Sequence, residues 1–206
     1  MLIPLFPLAI VVYPGQTVPL YIFEERYKEM IADCQPEGGG EFAPFGISLF
    51  DDGEVAEVGC TAVVSEIAKR HADGSMHIVT VGGRRYRTLE VIDDKLYLQG
   101  RVELLEDAGG TGDPALAREA GEAYRELLSL AAPGAAEEVG GEATAFEIAV
   151  NCGLDLKQKQ RVLEMSSESE RLRYLCDHFE EMLPQLRLRL EQQRRVKSNG
   201  YGPPHK

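Results

Sequence analysis

Asp107-Ala108-Gly109-Gly110-Thr111-Gly112 divides this sequence in two. Three glycines and no bulky apolar side chain leave nothing to offset the entropy of ordering it, so 108–112 reads as a linker. Before it the pattern is that of strands and tight turns; after it, that of helices. Strands followed by helices predict an α+β chain. The expected division is a strand domain over 1–107, a helical domain over 113–196 and a flexible tail over 197–206.

Working back from the linker, Leu96 to Leu104 alternates, with Leu96, Leu98, Val102 and Leu104 on one face and Tyr97, Gln99, Arg101 and Glu103 on the other. That is the period of a half-buried strand. Gly59 to Arg70 and Met76 to Gly82 flank His71-Ala72-Asp73-Gly74, an Asp-Gly hairpin signal. Gly82-Gly83 reads as a bend before a further strand, Arg84 to Ile92, and Phe42 to Phe50 as another. Ala9 to Tyr13 is β-branched and stops at Pro14-Gly15. Val18 to Phe23 contains Pro19, the mark of an edge strand. Between them and the rest, Tyr27, Met30, Ile31 and Cys34 recur at helical spacing, predicting one short helix. Short strands, tight turns and one helix suggest a small barrel or a sandwich.

Working forward, Asp113-Pro114 is an N-cap with proline at the first helical position, and Leu116, Ala120, Tyr124, Leu127 and Leu128 form one face. An Ala/Glu/Gly stretch runs to Glu142. Thr144 to Cys152 and Leu156 to Met165 read as short helices. Ser167-Glu168-Ser169-Glu170 matches a capping box, and the apolar spacing from Leu172 to Leu190 predicts a long helix, kinked at Pro184. Ser198 to Pro204 reads as coil.

The 206 residues carry 22 Lys+Arg against 34 Asp+Glu, a net charge of −12. Residues 184–206 hold six cations and one acid, so their net +5 leaves −17 on the remainder. Phosphate affinity needs clustered cations, and the acidic balance of the remainder weighs against broad nucleic-acid binding. No apolar run approaches the ~18 residues of a membrane span. The opening Met1 to Leu8 has no basic leader and is interrupted by prolines, so the cytoplasm is the expected location.

Signatures of bond-making chemistry are sparse. No Gly-x4-Gly-Lys-Ser/Thr segment cradles a nucleotide, and no Gly-x-Ser-x-Gly elbow presents a serine. Cys34, Cys60, Cys152 and Cys176 are far apart, and Cys176 and His178 point roughly 200° apart on a helix, so no metal or other cofactor is expected. Asp51/Asp52, Asp93/Asp94, Glu137/Glu138 and Glu180/Glu181 fall in turns or on polar helix faces. What remains is apolar surface: the Pro14 to Pro19 loop, and His77 to Val81, apolar on both faces. Pro14, Pro19, Ile22 and Val79 are the candidate peptide contacts, on the expectation that loop and hairpin form one rim.

Ile3-Pro4-Leu5-Phe6-Pro7-Leu8, Val11-Val12-Tyr13-Pro14-Gly15 and Val18-Pro19-Leu20-Tyr21-Ile22-Phe23-Glu24-Glu25-Arg26-Tyr27 closely resemble the opening of the Lon protease N-terminal, substrate-binding domain. Val58-Gly59-Cys60-Thr61-Ala62, Gly82-Gly83-Arg84-Arg85-Tyr86-Arg87 and Lys159-Gln160-Arg161-Val162-Leu163-Glu164 with Arg171-Leu172 match it further on, in order. The resemblance implies a PUA-like β-barrel with one short helix, followed by an α-helical bundle. It also implies a non-enzymatic module for unfolded or partly folded polypeptides or a protein partner, with no ATPase or protease domain of its own. Two alternatives stand beside it. One is RNA binding through a PUA-like fold and the basic end; the −17 body makes nucleic acid the weaker expectation. The other is a hydrolase whose triad meets only in space.

Overall fold

The computed structural model describes residues 1–110, 112–131 and 143–199, with side chains through Arg195. In chain order its elements are β1 (Leu2–Leu8), β2 (Thr17–Ile22), α1 (Glu25–Cys34), β3 (Phe45–Asp51), β4 (Glu54–Val55), β5 (Val58–Arg70), β6 (Met76–Ile92), β7 (Gln99–Leu104), α2 (Pro114–Ala131), α3 (Ala145–Asn151), α4 (Leu156–Glu164) and α5 (Glu168–Asn199). This is an α+β chain with a mostly antiparallel sheet. It forms two compact units, Met1–Ala108 with Ala149–Ser166, and Gly109–Ile148 with Ser167–Lys206.

The expected helical domain over 113–196 needs correction, because 149–166 belongs to the strand unit. Polar bonds hold it there. Gln160 Nε2 donates to Val58 O at 2.9 Å, Tyr13 Oη to Lys159 O at 3.0 Å, and Arg85 Nη1 to the Leu163 and Met165 carbonyls, each at 2.9 Å. Composition cannot reveal this, since α4 is an ordinary amphipathic helix. Its start is a full capping box between Asp155 and Gln158.

Within the first unit, hydrogen-bonded neighbours run from β1 through β7, β6, β5 and β3 and return to β1, whose pairing with β3 is parallel. β1 occupies Leu2–Leu8, whereas the sequence predicts the first strand at Ala9 to Tyr13. Two prolines obscured it. Successive residues of a strand aim their N–H groups to opposite sides. Odd residues of β1 face β7, as Leu5 N–H donating to Leu98 O shows. Pro4 thus faces the β3 side one residue before that pairing starts at Leu5, and Pro7 faces the β7 side beyond its last bond. Neither removes a ladder bond. Residues 9–13 are instead irregular, with Val11, Val12 and Tyr13 buried.

β6 does not bend at Gly82-Gly83; it runs unbroken for 17 residues. Those glycines admit close neighbours. A Cβ on Gly82 would stand 2.1 Å from Tyr13 O, and one on Gly83 would stand 2.6 Å from Thr61 Oγ1. β7 is shorter than the alternation suggests and reversed at its start: Leu96 is exposed and Tyr97 buried. The cause is polar. Tyr97 Oη turns inward to donate to Asp33 on α1 at 2.6 Å, beside Lys95 Nζ at the same distance.

Those bonds, Lys95 first and Tyr97 second, hold the Asp33 carboxyl below the usual carboxylate range. With the folded pKa depressed, the unfolded chain takes up the proton first. The contribution is complete above a pH of about 3.9 and is lost as pH falls through the lower folded value. Asp33→Asn should therefore flatten the acid limb of the stability curve, as urea melts on either side of that pH will register.

In the second unit, α2 packs along α5. Asp113 Oδ1 accepts from Ala115 N at 2.8 Å, the expected cap, and Ser167 Oγ accepts from Glu170 N at 3.2 Å. α5 continues through Pro184 to Asn199, so Lys197–Asn199 are helical rather than tail; 200–206 lie outside the described residues, as do Thr111 and the Ala/Glu/Gly stretch over 132–142. Arg187 is paired with Glu126, so that member of the basic run serves packing of α5 on α2.

Candidate docking face

Among the described residues β2 pairs only with β6, the edge position that Pro19 predicts. Their register sets Tyr21 opposite His77, Pro19 opposite Val79 and Thr17 opposite Val81. Side chains alternate across a strand, so these six share one face. Met76, Ile78 and Thr80 point the other way and are buried, Thr80 Oγ1 donating to Val18 O at 2.9 Å.

The outward face is aromatic at one end. Tyr21 is 49% exposed and Phe23 59%, their rings stacked at 5.6 Å between centroids. Tyr21 also stacks on His77 at 4.5 Å, and His77 lies 5.4 Å from His71. Tyr21 Oη donates to Ser75 Oγ at 3.2 Å, which fixes the ring in place. At the other end the Pro14 turn is tied down: Gly15 N donates to Gly82 O and Gly82 N to Gln16 O, both at 2.8 Å.

The sequence-derived contacts therefore separate. Pro19 and Val79 face each other on the outer surface. Pro14 is half-buried in the turn beyond the Thr17–Val81 end. Ile22 needs correction as a rim residue: it is one position out of step with Pro19 and Tyr21, and at 1% exposure it belongs to the core. Tyr21, Phe23 and His77 were missed. For Tyr21 and Phe23 the signal was present in the i, i+2 series Thr17, Pro19, Tyr21, Phe23, which crosses from strand into loop without changing face, and for His77 in the series His77, Val79, Val81.

The hairpin also gathers Ser75, Asp73, His71 and His77, the residue types of a hydrolytic triad. The bonding runs differently. Ser75 Oγ donates directly to Asp73 Oδ1 at 2.7 Å, which lowers the Asp73 pKa, and no histidine bonds Ser75 among the described residues. The four thiols are buried. Desolvation pushes Cys34, Cys152 and Cys176 up to about 11 and Cys60 to about 12, far from thiolate reactivity. Among the described residues, no group of His, Cys, Asp or Glu is arranged to hold a metal, and no helix is long and apolar enough to cross a membrane.

Solved structures and a family model resemble this chain. The chain is 27% identical to the Lon N-terminal domain protein from Xanthomonas campestris, with a TM-score of 0.66 over 85% of this chain and 96% of that one. The N-terminal domain of Mycobacterium avium complex Lon protease shares the fold, with a TM-score of 0.64 over 88% and 100% of the two chains at 19% identity. A Lon protease from Anaeromyxobacter dehalogenans is 28% identical over 196 residues, covering 85% of this chain but only 22% of that protein. Residues 2–181 match the family described as the ATP-dependent protease La (LON) substrate-binding domain, and the chain belongs to that family.

Proposed function

We propose that this chain is a non-enzymatic module that holds apolar stretches of unfolded or partly folded polypeptides on the outer face of the β2–β6 ribbon. The observation that carries this reading is the solvent-facing cluster of Tyr21, Phe23 and His77 beside the Pro19–Val79 pair. Large aromatics pinned in the open favour a partner, because they give contact area at little further entropic cost. The closed circuit of strand pairings supports a small PUA-like barrel as the rigid base of that ribbon, and α2 against α5 supports a helical bundle. Family membership supports polypeptides as the occupant. The activities of the full-length proteases are not part of this proposal.

Binding energy on such a face comes from apolar burial, at about 25 cal/mol per Å² before ordering costs. Affinity should be modest and weakly dependent on salt. Titration of a fluorescently labelled, permanently unfolded protein against wild type and Val79→Asp tests it. The variant should bind at least about tenfold more weakly, a loss of about 1.4 kcal/mol. Equal affinities would remove this face from the account.

A further inference from the structure

On the strand unit, β6 has a second partner for only part of its length. Its last β5 pair is Arg87 with Val58, after which Thr88 N donates to Glu57 O at 2.8 Å. From Leu89 to Ile92 the only strand beside it among the described residues is β7. On the open side the chain at Val55–Glu57 turns away, Ala56 N donating to Leu49 O at 2.8 Å. A groove of about 220 Å³ is left between, lined among others by Leu5, Val55, Glu57, Thr88, Leu89 and Val91. Leu89 is 60% exposed and Val91 55%.

We propose that this groove takes an extended peptide segment as an added strand on β6, favouring segments in which apolar residues alternate with lysine or arginine. The proposal rests on the polypeptide-binding reading above and names a substrate class for it. Three observations converge. A free strand edge offers main-chain donors and acceptors to any extended chain, which makes its recognition independent of side chains. Thr88 lines the groove, and its Oγ1, shielded from solvent, has no hydrogen-bond partner, so a side-chain rotation on binding would let it meet a peptide amide. Charge supplies the selectivity. Glu57 stands on the wall, and Asp51 and Glu54 line the adjoining hollow that shares Val55 and Ala56. Their neighbours Glu90 and Asp52 are paired with Arg101 at 3.0 Å and Lys157 at 3.8 Å, but Asp51, Glu54 and Glu57 form no ion pair among the described residues. An apolar floor beside uncompensated carboxylates attracts cations and repels acidic segments. At ~3.3 Å per residue the free edge accommodates roughly four peptide residues.

Fluorescence anisotropy on the full chain tests this with three short labelled peptides: one alternating lysine with valine, one with glutamate for lysine, and the first with every second amide N-methylated. The lysine peptide should bind at least about tenfold more tightly than either of the others, and its affinity should fall as salt is raised. Val91→Lys, at an exposed position, should weaken it by a similar factor with an unchanged melting temperature. Thr88→Val should weaken it too while raising the melting temperature, since a buried unpartnered hydroxyl is removed. Equal binding of the three peptides, or an unchanged affinity in Val91→Lys, would overturn the proposal. If Val79→Asp abolishes lysine-peptide binding and Val91→Lys does not, the peptide lies on the β2–β6 ribbon: the edge site fails and the docking face stands.

Discussion

Gly59→Ala should cost at least about 3 kcal/mol of stability, at the upper end of what overpacking does and a large part of a domain's margin. Tyr86 is fully buried, held in a slot with Gly59 and Gly46 against its ring, and its hydroxyl shares a 2.7 Å hydrogen bond with Ser48 Oγ. Burial pushes the phenol pKa up, so it stays protonated and bonded. A Cβ on Gly59 would stand 2.5 Å from the Tyr86 hydroxyl, 2.5 Å from its ring and 2.5 Å from Ile47 O. Shrinking the ring cannot relieve the last of these, because it is backbone on the paired strand. The identical change at Gly121 in α2, where an added Cβ would meet nothing within 4 Å beyond the adjacent backbone of its own helix, should instead stabilise by about 0.5–1 kcal/mol through helix propensity. Urea melts of the two variants should move in opposite directions; a Gly59→Ala protein as stable as wild type would show that the slot is not closed.

The second large effect is expected at Arg85. Its guanidinium is 4% exposed, donates to Asp107 Oδ1 at 2.5 Å through Nη2, and bonds the Leu163 and Met165 carbonyls through Nη1. One side chain thus ties β6 to the chain just beyond β7 and to the end of α4. Arg85→Met keeps the stem but removes every donor. It takes this cation from Asp107 and this donor from two carbonyls, and breaking a buried pair from one side costs about 3–5 kcal/mol. Asp107→Asn, which keeps a polar acceptor, should cost much less. Limited proteolysis adds a local readout: cleavage within 149–166 should accelerate in Arg85→Met before global unfolding, and unchanged protection there would mean that α4 is held by its apolar face alone.

How much of this was legible in the sequence depends on where the information sits. Local signals were sound: the Asp73-Gly74 turn, the α1 face of Tyr27, Met30, Ile31 and Cys34, the edge position from Pro19, and the Asp113 cap. Readings failed where a long-range partner overrode a local rule. Pro4 and Pro7 disguised β1 because their missing donors fall just outside each ladder, which is knowable only once the register is known. Gly82-Gly83 looked like a bend but marks where Tyr13 and Thr61 approach the strand. The half-chain assignment of 149–166 failed because a few polar bonds from Arg85, Gln160 and Tyr13 outweigh what composition suggests. The docking face was half legible. Pro19 and Val79, expected on one loop-and-hairpin rim, do share the outer surface, while strict alternation sets Ile22 on the opposite face and Tyr21 and Phe23 on theirs.

The central claim is that unfolded polypeptide docks on the outer face of β2–β6. Amide chemical-shift mapping of the full chain during titration with a permanently unfolded protein tests it most directly. Shifts should concentrate at Thr17–Phe23 and Met76–Val81, while Asp33 and Tyr97 stay still. Saturable binding that leaves the Thr17–Phe23 and Met76–Val81 amides unmoved would contradict it.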